Sequence, residues 1–237
     1  MDTELRPAGL SSAPPTPLLA RAWLHTWALT ALLVMLALTV FVLPVVLPDG
    51  DMSGIARDVF FTLTLLTGLI SVARRRVSTY TLALLCIAAI TTRWMEWFVP
   101  GRMLVPVREL AMLLAVGLLV GIVGKDVFTP GRVTLDRIMG AIVLYLLLGV
   151  AFAIAYDSIA THVPGAFAGA FQGTPGFERW AYFSFVTLTT VGYGDITPVA
   201  TIARSVATFE AFVGQLYPAV ILARLVSLQI APPPAQS

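Results

Sequence analysis

WAYFSFVTLTTVGYGDITP, residues 180–198, is the stretch that decides the fold of this chain. The five residues at its centre are Thr190, Val191, Gly192, Tyr193 and Gly194. Both glycines accept a positive φ without a Cβ clash, so this backbone can turn successive carbonyl oxygens to one side, where an ordinary strand alternates them. The threonine hydroxyl adds a further oxygen at the inner end. Such a column of oxygens can replace the hydration shell of a cation.

The residues before this loop predict a short helix that points at it. The segment Gly176–Thr189 is long enough for about three helical turns, and Glu178 lies near its amino end. The carboxyl end of a helix carries partial negative charge. It therefore favours a cation just below the loop.

The segment TLTTVGYGD resembles the filter signature of tetrameric potassium channels, and Arg137–Leu228 is similar to that family's pore module. The resemblance implies K+ binding at Thr190, Val191, Gly192 and Tyr193. Tyr182 and Phe183 stand where many members carry two tryptophans. In the family the first of these hydrogen-bonds the aspartate after the filter, here Asp195, and a tyrosine hydroxyl can replace the indole donor.

Composition indicates an integral membrane protein. Hydrophobic residues make up 58% of it and charged residues 12%, against about 25% charged in soluble domains. We predict an all-α membrane protein with six transmembrane helices and a re-entrant pore helix and filter loop between helices five and six. Irregular backbone is tolerated there because it lines a water-filled path.

The predicted spans divide the chain into five regions. They are a disordered cytoplasmic leader at 1–20, a four-helix membrane domain at 21–124, a linker at 125–137, a pore domain at 138–228 and a disordered tail at 229–237. The arginines and the lysine show a bias toward one side of the predicted spans. This bias favours both termini in the cytoplasm, with the protein in the plasma (inner) membrane.

The four-helix domain resembles a voltage sensor in its span count but lacks the gating charges. Sensors carry arginines at every third residue of the fourth span, whereas Met103–Val123 offers Arg108 beside Glu109 and then the uncharged run Leu110–Val123. We therefore predict a bacterial-type subunit with weak voltage dependence, because few charges can cross the field.

The sixth predicted span, Val199–Leu228, holds the candidate gate. Aligned with the family from the filter aspartate, Gly214 falls at its hinge glycine, and Pro218 removes a backbone donor four residues later. The same alignment places a cavity-facing stripe at Gln215, Pro218, Leu222 and Val226. Either of the last two could form a hydrophobic constriction. The alternative is that glycine and proline are simply common in membrane helices.

Glu210 is an acid inside the sixth span, where a charge is costly without partners. One interpretation places it behind the filter, bonded to pore-helix hydroxyls such as Ser184 or Thr187. The other gives its charge a role near permeating ions or as a proton sensor. Either way the predicted filter support consists of Asp195, Tyr182, Thr187, Thr189 and Glu210.

These features predict a subunit of a potassium-selective channel that conducts passively as a homotetramer. Its partners would be K+, the bilayer and its own copies, with no nucleic acid and no cofactor besides the permeant ion. The chain has neither a GxSxG nor an HExxH motif, which argues against an enzyme. The alternatives are a less selective cation channel and a non-conducting accessory membrane subunit.

Overall fold

The structure is a computed structural model that describes residues 17–46, 51–72, 76–95, 98, 105–129, 134–169 and 176–230. In the ranges 17–26, 51–53, 76–78 and 225–230 it describes the backbone alone. Most of the predicted leader, and the predicted tail beyond residue 230, lie outside the described residues.

Helices account for nearly all of the described chain. In order they are α1 (Pro17–Ala37), a π-helical segment (Leu38–Val42), α2 (Leu43–Val46), α3 (Asp51–Val72), α4 (Arg76–Met95), α5 (Val105–Phe128), α6 (Leu135–His162), α7 (Phe177–Leu188) and α8 (Thr201–Ile230). Two three-residue strands, β1 (Phe167–Gly169) and β2 (Ile196–Pro198), lie on either side of α7 in the chain. The predicted all-α class is confirmed.

Five stretches of helix among the described residues are long and apolar enough to cross a membrane. They are Trp27–Val46, Gly54–Val72, Val105–Phe128, Leu135–His162 and Thr201–Arg224. The apolar part of α4, Thr79–Met95, is shorter. The protein is thus an integral membrane protein, while the count of six spans stays a prediction.

The first helix begins earlier than the sequence analysis expects. It starts at Pro17, inside the predicted leader 1–20. Proline suits the first turn of a helix, because its fixed φ is already helical and the amide that it lacks would have no helical partner there. The leader prediction is therefore wrong for its last four residues.

The linker between the two predicted domains is shorter than 125–137. Helix α5 continues to Phe128 and α6 begins at Leu135, after the extended residue Thr134 with φ −117° and ψ 158°. The apolar runs in the sequence underestimate the length of both helices, because polar residues can continue a helix beyond the hydrocarbon. Asp136, in the first turn of α6, is also favoured by the helix dipole.

A large hydrophobic core joins α1, α3, α4, α5 and α6. Its most deeply buried members include Leu32, Leu36, Leu82, Leu119 and Leu147. Helices α1 and α5 pack directly against α6, and α3 and α4 join the same core through α1 and α5, which stabilises the position of α6.

A second, aromatic cluster fixes α7 against α6 and the β-ribbon. The ring centroids of Phe167 and Trp180 lie 4.6 Å apart, and those of Tyr156 and Phe183 lie 4.8 Å apart. Aromatic pairs at these separations contribute beyond their buried area. The cluster holds the short helix in place against the rest of the chain.

The ribbon lies at the carboxyl-terminal end of the filter loop. Strand β1 pairs antiparallel with β2, with Gly169 opposite Ile196. Gly169 has φ +136°, and a Cβ there would overlap the carbonyl oxygen of Asp195. This ribbon was not predicted from the sequence.

Two contacts tie the first helices directly to α7. The Arg57 guanidinium lies 3.1 Å from the Glu178 carboxylate in the first turn of α7. The rings of Phe41 and Phe185 lie 5.6 Å apart. The four-helix domain therefore contacts the pore helix as well as α6.

At the opposite end of the molecule, Arg224 ties α8 to the end of α5. Its guanidinium donates to the carbonyls of Val127 at 2.6 Å and Thr129 at 2.5 Å. These are carbonyls at a helix end, which lack helical donors, and a cation is favoured there by the dipole. The contact joins the last part of the pore domain to the four-helix domain.

Candidate ion-binding site

Helix α7 ends where the filter loop begins. Its last residue is Leu188, and Thr189 caps it with an amide bonded to Phe185 at 3.0 Å. The hydroxyl of Thr189 bonds back to the same carbonyl at 2.6 Å. The negative end of the helix dipole therefore lies beside Thr190.

The filter amides point back to this helix. The Thr190 N–H donates to Thr187 O at 2.9 Å, and the Val191 and Gly192 N–H groups donate to Val186 O at 3.0 and 3.3 Å. In a trans peptide the carbonyl is antiparallel to the amide N–H that follows it. The carbonyls of residues 189–191 are thus directed away from α7.

Positive φ recurs at every second residue of the loop. The values are 60° at Thr190, 57° at Gly192 and 79° at Gly194. Alternation of the sign of φ lets successive carbonyls face the same side, where a regular strand would alternate them. Near Gly192 no heavy atom of the same chain lies within 4 Å of an added Cβ, so within one chain glycine is required there by conformation.

Thr190 is the one residue other than glycine with a positive φ in the described part of the chain. The left-handed conformation costs an L-residue about 1–2 kcal/mol, and β-branching makes threonine an unfavourable case. Its side chain is held from α8: Gln215 Nε2 donates to Thr190 Oγ1 at 2.8 Å. The inner end of the loop is therefore strained and supported from another helix.

A tyrosine and an aspartate hold the outer end of the loop. Tyr182 donates its hydroxyl to Asp195 Oδ2 at 2.8 Å, and Asp195 Oδ1 accepts the Ile196 amide at 3.0 Å. The hydrogen bond to the carboxylate raises the pKa of Tyr182 above its usual value, so the hydroxyl remains a donor. The ring of Tyr182 also stacks on that of Tyr193, with 4° between their planes.

Glu210 is fully buried behind the loop, between three helices. Tyr156 of α6 donates to its Oε2 at 2.5 Å, and Ser184 of α7 lies 2.5 Å from its Oε1. The Ser184 hydroxyl also lies 2.8 Å from the carbonyl of Gly149. One carboxyl group on α8 therefore connects α6 to the middle of α7.

Thr187 does not contact Glu210. Its hydroxyl bonds to Phe183 O in its own helix at 2.8 Å, as threonines in helices commonly do. Of the two hydroxyls that the sequence analysis names for Glu210, the structure brings only Ser184 to it. Thr187 instead contributes its carbonyl, which accepts the Thr190 amide.

Two residues of this site were not predicted from the sequence. Tyr156 is a hydrogen-bond partner of Glu210, and Gly149 supplies the carbonyl beside Ser184. The signal available for Tyr156 was the buried acid itself, since an acid in a span requires donors and Tyr156 is a donor within α6. Gly149 gave no such signal. A Cβ there would press on the ring of Phe185, at 2.5 to 2.9 Å, so its role is close packing of α6 against α7.

Gly214 lies directly against the end of the pore helix. A Cβ at this position would overlap the carbonyl oxygen of Leu188, which is also 3.3 Å from the Tyr145 hydroxyl. The structure thus gives this glycine a packing role, and its role as a hinge stays a prediction. Leu188 is itself fully buried.

The remaining predicted gate residues lie further along α8. Pro218 is inside the helix, which the structure describes as continuous from Thr201 to Ile230. Both Pro218 and Leu222 have exposed side chains in the single chain. Val226 lies in the part of α8 of which only the backbone is described.

Residues 140–229 match the family model described as an ion channel. This range contains most of α6, the β-ribbon, α7, the filter loop and nearly all of α8. The hydrogen bonds of the loop fall inside it, and so do the contacts that Tyr182, Glu210 and Gln215 make to support the loop. Fold and site therefore define the class: this is a membrane ion channel with a pore loop.

Named relatives narrow the class further. Protein LctB from Bacillus caldotenax is 34% identical over 100 residues, which are 40% of this chain and 74% of that protein. The inward rectifier potassium channel Kirbac3.1 from Paramagnetospirillum magnetotacticum is 36% identical over 77 residues, 31% of this chain and 23% of the relative. Two pore potassium channel b from Oryza sativa subsp. japonica is 38% identical over 92 residues, 38% and 24% of the two chains.

The chain belongs to the pore-loop potassium channel family. It spans about a quarter of the length of the two named potassium channels, so the similarity concerns the pore module. Family membership points to transport and not to catalysis.

The Gly214 contact predicts an asymmetry between two helical glycines. Gly214→Ala should destabilise the protein by about 1–3 kcal/mol, because the added methyl overlaps backbone that cannot move cheaply. Gly117→Ala is the matched control, since nothing lies within 4 Å of its added Cβ and alanine favours helix. Thermal unfolding in detergent measures both, and equal melting temperatures would contradict the packing role.

The Glu210 contacts predict that Tyr156→Phe destabilises the protein by about 1–3 kcal/mol, because a buried carboxyl group loses a donor while the ring packing is retained. Tyr80→Phe is the control, since Tyr80 is 75% exposed. The same unfolding experiment applies. A Tyr156→Phe protein as stable as the Tyr80→Phe protein would show that the hydroxyl contributes nothing.

Proposed function

We propose that this protein conducts K+ passively as a homotetramer whose four filter loops surround a common axis. The observation that carries the proposal is the direction of the amides of Thr190, Val191 and Gly192, which bond back to α7. The carbonyls of residues 189–191 therefore face the other way, as ligands of a dehydrated cation must. Conduction of this kind needs no cofactor.

Uncovered surfaces in the single chain support assembly. The filter side chains Val191 and Tyr193 are 53% and 70% exposed, and Phe209 and Phe212 on α8 are 59% and 60% exposed. One chain supplies only one wall of a pore. Identical subunits in a closed ring would complete the filter and cover part of these apolar surfaces.

The proposed orientation places both termini in the cytoplasm and the filter mouth outside, with the protein in the plasma (inner) membrane. Arg224 lies at the end of the molecule where α5 ends, opposite to the Asp195 end of the filter. Basic residues collect on the cytoplasmic side of membrane proteins. Arg224, with Lys125 and Arg137 at the two ends of the predicted linker, supports that assignment.

The proposed gate lies on α8 beyond its contact with the pore helix. Because Gly214 is packed against Leu188, we take this point as fixed and place the bend at Pro218, which lacks a backbone donor. The constriction would then form at Leu222 or Val226, on the mobile side. In this proposal Glu210 supports the filter from behind and does not contact permeating ions.

Potassium selectivity is the direct test. Purified protein in liposomes should give a reversal potential close to the K+ equilibrium potential when K+ is set against Na+. A reversal potential near zero would instead favour a less selective cation channel, and the absence of any current would favour an accessory subunit. The filter variant Gly192→Ala should lose at least about 90% of the current while remaining tetrameric, because alanine at positive φ is strained.

Gly117→Ala is again the control for Gly192→Ala. An added Cβ has open space at both positions, and only Gly192 has a positive φ. The control should retain its current. If both variants conduct equally, the conformation of the filter backbone is not what conduction requires.

Voltage dependence should be weak. Each charge that crosses the field contributes about 2.3 kcal/mol per 100 mV, and steep sensors move several charges per subunit. Helix α5 offers Arg108, which lies 4.0 Å from the carboxylate of Glu109, and then the uncharged run Leu110–Val123. Conductance measured against voltage in planar bilayers tests this, and a slope equivalent to several elementary charges per tetramer would contradict it.

A further inference from the structure

We propose that Gln215 is a positioning residue for the innermost cation site of the filter. Its amide would fix the orientation of the Thr190 hydroxyl and thereby set how tightly that site holds a cation. This inference rests on the proposed function, since it assigns the inner end of the proposed ion pathway. It adds a determinant of cation affinity on α8, outside the TVGYG sequence.

The contact is specific in its geometry. Gln215 Nε2 lies 2.8 Å from Thr190 Oγ1, a normal hydrogen-bond distance. The two residues are 25 apart in sequence and belong to different elements, the filter loop and α8. The neighbouring residue explains why they meet: Gly214 has no side chain to keep α8 away from Leu188 O. Gln215 therefore reaches the filter residue that follows the pore helix.

Thr190 is the filter residue that most needs such support. It takes a positive φ of 60° although it is β-branched, while the other positive values in the loop belong to glycines. Its amide is held by Thr187 O at 2.9 Å. The bond from Gln215 holds the side chain as well, so backbone and side chain are both fixed by groups outside the filter.

The chemistry links this bond to cation binding. A hydroxyl oxygen has two lone pairs. An amide donor occupies one of them and stops rotation of the side chain, which leaves the other in a fixed direction for a cation. Without the donor the hydroxyl can rotate, and fixing its orientation then reduces the binding free energy of the ion. The inner site should therefore weaken while the backbone sites further out keep their ligands.

Ba2+ is a suitable probe because it is a divalent cation of nearly the size of K+. We would apply it from the α8 side of the filter and measure the concentration that blocks half of the K+ current. Gln215→Leu removes the donor at similar size and should raise this concentration about fivefold or more, as expected for one lost hydrogen bond. The reversal potential for K+ against Na+ should keep its sign.

A double-mutant cycle separates this role from a general effect on α8. In a Thr190→Val background, which lacks the hydroxyl, Gln215→Leu should no longer change Ba2+ block. Should Thr190→Val fail to assemble, Thr190→Ser serves instead, because it retains the hydroxyl and must retain the dependence on Gln215. An unchanged block in Gln215→Leu, an equal effect in the valine background, or a lost dependence in the serine background would each overturn the proposal.

A binding measurement keeps the two proposals distinguishable. Ba2+ should raise the melting temperature of the purified wild-type protein, and the increase should be smaller for Gln215→Leu. If the wild-type protein carries no K+ current, the proposed function fails, and the shift in melting temperature caused by Ba2+ still tests the role of Gln215. A wild-type protein that Ba2+ does not stabilise, or an equal shift in the variant, would overturn the role of Gln215.

Discussion

The hydrogen bonds from the filter amides back to the pore helix are the interaction on which the rest of the structure depends. A carbonyl can serve a cation only if it points toward the ion, and the amides at 190–192 turn the carbonyls of residues 189–191 away from α7 by bonding to Thr187 and Val186. That arrangement requires a positive φ at alternate residues, which explains the two glycines and the strained Thr190. It also requires α7 to stay in place, because a shift of this helix would turn the carbonyls.

The surrounding helices supply that fixed position through a few polar contacts within a largely apolar interior. Glu210 accepts from Tyr156 and lies beside Ser184, so that α6, α7 and α8 share one buried group. Unpaired polar groups are costly inside a bilayer, so each such contact resists separation of the helices it joins. Arg57 and Arg224 extend the same connection to the four-helix domain, at the start of α7 and at the end of α5. These contacts give the four-helix domain a mechanical connection to the pore without any requirement for gating charges.

The membrane helices and the filter could be predicted because their signals are local. Apolar runs and the TVGYGD motif specify both, and Gly192 and Gly194 follow from the backbone they must adopt. The Tyr156–Glu210 contact could not be predicted, since residues 54 apart meet only when the rotation of two helices is known, and apolar runs leave that rotation open. The ribbon of Phe167–Gly169 and Ile196–Pro198 was also not predicted, because a three-residue strand shows almost no alternation of apolar and polar residues. The end of α5 at Phe128 and the start of α6 at Leu135 were misplaced, because the length of an apolar run reflects the thickness of the bilayer and not the length of the helix.

The most direct measurement locates the ions. Tl+ replaces K+ at oxygen ligands and scatters anomalously, so a crystal structure of the assembled protein grown in Tl+ would map every occupied cation site. The account predicts a column of Tl+ peaks on a four-fold axis, level with the carbonyls of Thr190, Val191, Gly192 and Tyr193, with the lowest peak beside the Thr190 hydroxyl. Carbonyls that face away from the axis, or Tl+ bound elsewhere while the loop stays empty, would contradict it.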